Sequence, residues 1–491
     1  MSAHRAGRLE EANGLYRSAI QADPGDSRAL RLRGVLSRDL GDVAASARYL
    51  ARAADVAPLD AEPLAELAIT RMAAGDLEGA ESALRDALRR EPEHGKALAN
   101  LGALLQYRGH VAEALDFHRR ALEQDPDDPE VRCNLAKALA ECGRGEDALA
   151  ACNEALSRAP AHPLLLAAKG AVLCDVAQFD AAIPVLESAV VRYPDDDMAL
   201  VNLAYARTRV GAHDAAIEAL HGAIRANPSS GRATADLVNL LAGTGRVVDA
   251  LALAMDFLER HAGERQVLAA QAFALRDAGR EQEAVALLDF DRLILVSDLT
   301  PPQGYASLEE FNARLRAAIE ADPSLLASPA SKATRGGSQT GELRFGHDAV
   351  FRAFRAMVDE AVAAAARGLE AAGLASHPAM AYASPRWALR AWGTVIESGG
   401  RQAPHIHPLG WLSGVYYAAV PADMRAAGPQ AGWIEFGAPP DRFVVKLPPP
   451  PRAVEPRAGR LVVFPSYLYH RTLPFESAER RISVAFDVVP L

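Results

Sequence analysis

The chain has 491 residues, with 53 basic and 63 acidic side chains and a formal charge of −10; half of it is hydrophobic, yet only 6% is aromatic. Such a length implies more than one domain, and the apolar fraction excludes a wholly disordered chain. The acidic balance argues against nucleic-acid binding, which needs basic surface to neutralise phosphates.

The first twenty residues, MSAHRAGRLEEANGLYRSAI, are charged throughout and lack the apolar core of a secretory signal. No run of eighteen apolar residues suggests a membrane span. The four cysteines, Cys133, Cys142, Cys152 and Cys174, form no CxxC pair, and they read as small buried hydrophobes in a reducing compartment. Cytoplasmic location is expected. Only five Lys stand among the 53 basic residues, a bias typical of a GC-rich bacterial genome.

Prolines fall at 24, 58, 92, 126, 160, 194 and 228, a constant spacing of 34. Glycines keep the same register at 7, 41, 75, 109, 143, 211, 245 and 279, with Ala177 in the one missing place. Alanines follow five residues later, from Ala12 to Ala284, interrupted only by Ser46, and again at Ala19, Ala53, Ala87, Ala121, Ala155, Ala189 and Ala223. Gly ends a helix in a left-handed conformation, Ala lets helices approach closely, and Pro is expected to start the next unit. Leu101, Leu104 and Leu105 show the helical spacing between these marks. Each unit is a helix–turn–helix that must stack on its neighbours to bury its face. The pattern resembles tetratricopeptide repeats, about eight of them over residues 1–288. An all-α solenoid is therefore expected.

Asn100, Asn134 and Asn202 share one position of the first helix; Asp236 continues the row and Ala168 breaks it. In tetratricopeptide arrays the first helices line the concave groove. The row resembles the asparagine ladder of the O-GlcNAc transferase repeats, whose amides can bond the N–H and C=O groups of an extended peptide. A protein or peptide partner is the expected occupant; the alternative is a solvated polar face.

After residue 288 the register stops. All four tryptophans lie in 289–491, as do 20 of the 29 aromatic residues. Leu293 to Val296 is a β-like run. A helix follows, opened by the capping-box pattern Ser307 to Glu310. The segment SPASKATRGGSQTGELRFG reads as an exposed loop, and a second helix runs from about Ala349 to Ala372. From about residue 380 the chain reads as strands, WALRAWGTVI, LSGVYYAAV, GWIEFG, RFVVKL, RLVVF and RISVAFDVV, separated by Gly and Pro clusters. That suggests a sandwich or jelly roll.

Of thirteen His, three stand apart. His405 and His407 lie in APHIHPLGW, and His470 lies 63 residues after His407 in YLYHRT. Two His at i and i+2 point to one face of a strand, and a third returning in a jelly roll completes a site for a divalent first-row metal. In RISVAF, alternation puts Arg481, Ser483 and Ala485 on one face and Ile482, Val484 and Phe486 on the other. Arg481 can then hold a carboxylate in bidentate fashion, while Arg480 points the other way and suits a surface ion pair.

The stretches HIHPLGWLSGVYY, GRLVVFPSYLYHRT and RISVAFD resemble the 2-oxoglutarate- and Fe(II)-dependent oxygenases, in the branch found fused to tetratricopeptide repeats. The resemblance covers most of 289–491. It implies a double-stranded β-helix with flanking helices, and hence a multidomain α + β chain. It implies Fe(II) held by His405, His407 and His470. It implies that Arg481, with Tyr417, binds the far carboxylate of the cosubstrate 2-oxoglutarate, and that the enzyme is a dioxygenase hydroxylating a substrate recruited by the repeats. One departure matters. The wider superfamily uses two His and one carboxylate, and His407 stands where that carboxylate is expected. Three His are favoured here; two His with Glu435 or Asp441 are the alternative. The departure also leaves open a non-catalytic scaffold with a degenerate jelly roll, or a three-His iron dioxygenase that does not use 2-oxoglutarate.

Overall fold

The computed structural model describes every residue except 1–3, 5, 330, 331 and 347. Part of the serine-rich segment read as a loop, at 330 and 331, lies outside the described residues. By compactness the chain forms two units, 1–139 and 140–491.

Paired helices of 12 to 14 residues recur from Leu9–Ala22 through Arg265–Asp277, an N-terminal tetratricopeptide solenoid. The glycine register is explained by backbone geometry. Gly41, Gly75, Gly109, Gly143, Gly211, Gly245 and Gly279 all have φ between 72° and 92°, and Ala177 is forced to φ 59° in the same place. The prolines act differently from expectation. Pro24 lies two residues past the end of Leu9–Ala22 and before Asp26, which caps the next helix by accepting from the Ala29 N–H. The repeating Pro thus follows a helix stop rather than opening the next helix. Small residues permit close helix approach: a Cβ at Gly102 would come within 2.7 Å of the His118 ring.

Past the last repeats the chain turns to strand. The strands are β1 Leu295–Asp298, β2 Leu326–Ala327, β3 Thr334–Gln339, β4 Trp387–His405, β5 Leu412–Ala419, β6 Ile434–Phe436, β7 Arg452–Val454, β8 Arg460–Pro465, β9 His470–Thr472 and β10 Arg481–Pro490. They form a curled antiparallel sheet in the order β1-β8-β5-β10-β4-β9-β6-β7, with β3 also on β4 and β2 on β3. β4 is long enough to serve twice. Its first half pairs with β10 from Trp387↔Pro490 to Ile396↔Arg481, and its end pairs with β9, His405 facing His470. This is a jelly-roll arrangement, with helices Leu308–Glu320 and Ala349–Ala371 beside it. Ser307 caps the first of these by accepting from the Glu310 N–H, and the Glu310 carboxylate accepts in return from Ala306 N–H.

Two sequence readings need correction. Part of the serine- and glycine-rich segment is not a loop: Thr334 to Gln339 pair with β4, and Thr334 is fully buried. RFVVKL is not a strand. Its alternation is real, since Phe443 and Val445 are half-buried between exposed Arg442, Val444 and Lys446. Its backbone N–H groups at Lys446 and Leu447, however, donate to Asp277 of the last repeat, at 3.0 and 2.8 Å. In the second unit one apolar core runs without a break from Leu173 to Val488. Polar contacts reinforce it: Arg265 Nε donates to Gly410 O, and the Tyr467 hydroxyl donates to Leu287 O. Phe273 packs on Tyr469, ring centres 5.4 Å apart, immediately before His470. The repeats thereby brace the strand that carries a candidate ligand.

Candidate metal centre

His405 ends β4, His407 follows two residues later, and His470 opens β9 opposite His405. One nitrogen from each of the three lies within 4.8 Å of the others. Ring centres are 4.3 Å apart for His405–His470, 5.0 Å for His405–His407 and 5.1 Å for His407–His470. Three apolar rings wall the cluster: Phe464 at 4.7 Å and Phe436 at 6.0 Å from His470, and Trp392 stacked on His407 at 5.4 Å.

Hydrogen bonds decide which ring nitrogen faces inward. Nδ1 of His405 lies 2.8 Å from Ala403 O, and Nδ1 of His470 lies 3.0 Å from Leu468 O. Nδ1 of His407 lies 2.5 Å from Oδ1 of Asp487. Each Nδ1 faces only an acceptor, so it carries a proton and leaves Nε2 as the nitrogen turned to the cluster. The His407 Nε2 is buried with no partner. Burial, and then the neighbouring His407, push the His405 imidazole down to about 3; burial, then His405 and His407, hold His470 well below the usual range. Three imidazoles sharing one inward point are a donor set suited to a divalent first-row cation, and the orphaned Nε2 of His407 fits that role. Among the described residues no carboxylate joins this cluster. Glu435 is instead committed to Arg471, 2.6 Å away, and Asp441 sits in the exposed turn before RFVVKL.

Arg481, at the start of β10, is 2% exposed. Its guanidinium lies 4.9 Å over the Tyr417 ring and donates to the Thr472 hydroxyl at 3.3 Å. The Arg481 Nε and the Tyr417 hydroxyl are both buried without a partner. Burial raises the Tyr417 phenol above its usual range, and Arg481 offsets part of this. Thr472 lies two residues along β9 from His470, on the same face and roughly 7 Å away at the usual strand rise. Arg480 points outward and pairs with Glu320 at 2.6 Å, as alternation implies.

The structure adds residues that sequence reasoning passed over. Asp487 continues the inward row of Arg481, Ser483 and Ala485, a signal already in the alternation. Thr472 and Trp392 carried no such mark. The expected ladder residues are each half-buried on the first helix of a pair: Asn100 on Gly95–Tyr107, Asn134 on Pro129–Glu141, Asn202 on Asp197–Arg209 and Asp236 on Gly231–Gly243. Burial raises the Asp236 carboxyl, while Arg442 and Arg232 act against it. The four cysteines are free, three of them buried. Burial pushes the Cys152 thiol up to about 11 and the Cys174 thiol up to about 12. Among the described residues no helix is long and apolar enough to cross a membrane.

Residues 390–487 match the family described as "Putative 2OG-Fe(II) oxygenase". Tetratricopeptide-repeat profiles match residues 1–61, 66–129, 105–172, 169–231 and 209–265. Among solved structures, the chain is similar to the tetratricopeptide protein YrrB at 20% identity, over 38% of this chain and 95% of that one, with TM-score 0.33. A tetratricopeptide repeat protein of Parabacteroides merdae aligns at 23% identity, over 47% and 91%, with TM-score 0.38. Yeast Tom70 aligns at 17% identity over 56% of this chain and 59% of its own length, with TM-score 0.45. No curated protein matches the chain.

Proposed function

We propose that this chain, in which tetratricopeptide repeats are joined to a domain of the 2-oxoglutarate/Fe(II) oxygenase family, is a 2-oxoglutarate-dependent dioxygenase that hydroxylates a protein or peptide recruited by the repeats. One observation carries the reading: three imidazoles with each Nδ1 bonded outward gather at one point, and a buried guanidinium with no acid partner among the described residues bonds Thr472, two residues along β9 from His470. Burying Arg481 against only a hydroxyl and a ring face is costly unless an anion joins it. A degenerate jelly roll has no reason to keep that arrangement, which disfavours a non-catalytic scaffold. It equally disfavours a three-His dioxygenase that ignores 2-oxoglutarate.

In this reading His405, His407 and His470 hold Fe(II). When bound, the metal and 2-oxoglutarate supply the oxidation, in which the cosubstrate loses CO2 to become succinate and the substrate gains a hydroxyl. The chain supplies the rest. Arg481 grips the far carboxylate, and the Thr472 hydroxyl fixes the guanidinium plane. Tyr417 lies under that guanidinium and offers its unpartnered hydroxyl to the same carboxylate. Trp392, Phe436 and Phe464 keep the centre dry, which strengthens each polar contact within it. Asn100, Asn134 and Asn202 are the residues expected to hold an extended peptide, and the cytoplasm is the expected compartment.

The test is anaerobic loading of the purified full chain with Fe(II), followed by succinate measurement with 2-oxoglutarate and O2. Succinate is expected, and it should vanish in His470→Ala. Stoichiometric iron binding with oxygen uptake that ignores 2-oxoglutarate would overturn the cosubstrate assignment. Absence of metal binding would overturn the enzyme reading altogether.

A further inference from the structure

The usual centre of this superfamily carries a carboxylate where this chain has His407, so a three-His set leaves the cation with no anionic partner among its ligands. The structure holds a buried carboxylate one bond further out. Asp487 is 8% exposed on β10. Its Oδ1 accepts from His407 Nδ1 at 2.5 Å and from the Ser413 hydroxyl at 2.7 Å. Ser413 in turn meets Ser466 Oγ at 2.8 Å, so the carboxylate is held by a chain of buried groups on β5 and the end of β8. The other two imidazoles donate to backbone carbonyls; only His407 has a charged acceptor.

We infer that Asp487 is the displaced carboxylate of the metal centre. It acts through His407 as a positioning residue: it fixes the Nε2-facing tautomer, makes that imidazole a stronger donor, and returns the missing negative charge at one remove. The inference rests on the three His being the metal ligands. Carboxylate partners behind metal-bound His have this effect generally, and their loss costs about 10- to 100-fold in metal affinity. The pairing of residues is selective. With a carboxylate at position 407, the Asp487 carboxylate would face a like charge at the same spot and lose its donor.

The experiment is a titration of the metal-free full chain with Co(II), reading the dissociation constant and the visible ligand-field bands. Asp487→Asn should weaken binding by about 10- to 100-fold and shift those bands. Ser413→Ala, which removes one hydrogen bond to Asp487 but leaves its charge and its contact with His407, should weaken binding less than Asp487→Asn and leave the bands in place. In a His407→Asp background, Asp487→Asn should be neutral or tighten binding, a reversal that a merely structural role cannot produce. Wild-type chain that binds Co(II), with Asp487→Asn matching it in affinity and spectrum, would overturn this inference alone. Loss of binding on Ser413→Ala equal to that of Asp487→Asn would also overturn it. Wild-type chain that binds no Co(II) or Fe(II) would overturn the metal centre and this inference with it.

Discussion

The helical array and the curled sheet both bury charged and polar side chains, but they treat them in opposite ways. In the array, Arg108 is 4% exposed and pairs with Glu81, which also meets Arg85. Ser46 and Thr70, both fully buried, bond each other at 2.9 Å. In the sheet, Arg481 Nε, Tyr417 OH and His407 Nε2 are buried and unpartnered within one neighbourhood. Buried atoms with no hydrogen bond occur in the array too, such as His118 Nδ1, Thr234 Oγ1 and the adjacent Arg276 Nη1 and Asp277 Oδ2, but none of them flanks the His cluster. Polar burial in the array closes largely on itself, whereas in the sheet it is left open, which is the arrangement the proposed ligands would complete.

The sharpest break of that contrast is a matched pair of substitutions. Arg108→Met removes one of the two guanidinium partners of the buried Glu81 and should destabilise the chain by about 1–3 kcal/mol, read as a fall in the urea midpoint. Arg481→Met leaves no carboxylate stranded and replaces an uncompensated charge by apolar volume. Its midpoint should hold or rise, while 2-oxoglutarate binding weakens by about 2–5 kcal/mol, the cost of removing one partner of a buried charge pair. If Arg481→Met lowers the midpoint as Arg108→Met does, the guanidinium is structural and the contrast fails.

A second test uses pH. His118 is fully buried, and burial pushes its imidazole down to about 4. Its folded value lies below the unfolded one near 6.5, so protons favour the unfolded chain. Stability is complete above about pH 6.5 and is lost as pH falls from there toward 4, by up to about 3 kcal/mol. Urea midpoints at pH 7 and pH 5, compared between the native chain and His118→Gln, isolate this share. Equal slopes in the two proteins would mean that water already reaches the ring.

What the sequence disclosed follows the same division. The array was legible because one backbone requirement, a positive φ after each first helix, recurs every 34 residues and only glycine meets it cheaply. The candidate site was legible where rare residues stand at strand spacing: His405, His407 and His470, which the fold gathers, and Arg481, which it buries. It was illegible where ordinary residues gain meaning from a partner distant in sequence. Asp487 is one carboxylate among 63 acidic residues until it meets His407, 80 residues away. RFVVKL has the alternation of a strand, yet whether its N–H groups meet a strand or the Asp277 side chain is settled by the repeat packed beside it. Thr334 to Gln339 has the composition of a loop, and pairing with β4 overrides it.

The smallest effect tests the array's own rule at its one exception. Ala177 is exposed and stands at φ 59° where its counterparts are glycines. A left-handed conformation costs a non-glycine residue roughly 1–2 kcal/mol. Glycine would relieve this but loses about 0.5–1 kcal/mol through the greater freedom of its unfolded chain. No methyl packing is forfeited at an exposed site, so the relief of strain wins. Ala177→Gly should therefore raise stability by about 0.5–1 kcal/mol, seen as a melting temperature higher by roughly 1–4 °C. A fall would mean that the unfolded-state entropy outweighs the strain, and that the glycine register marks a tolerance of the turn rather than a demand made by it.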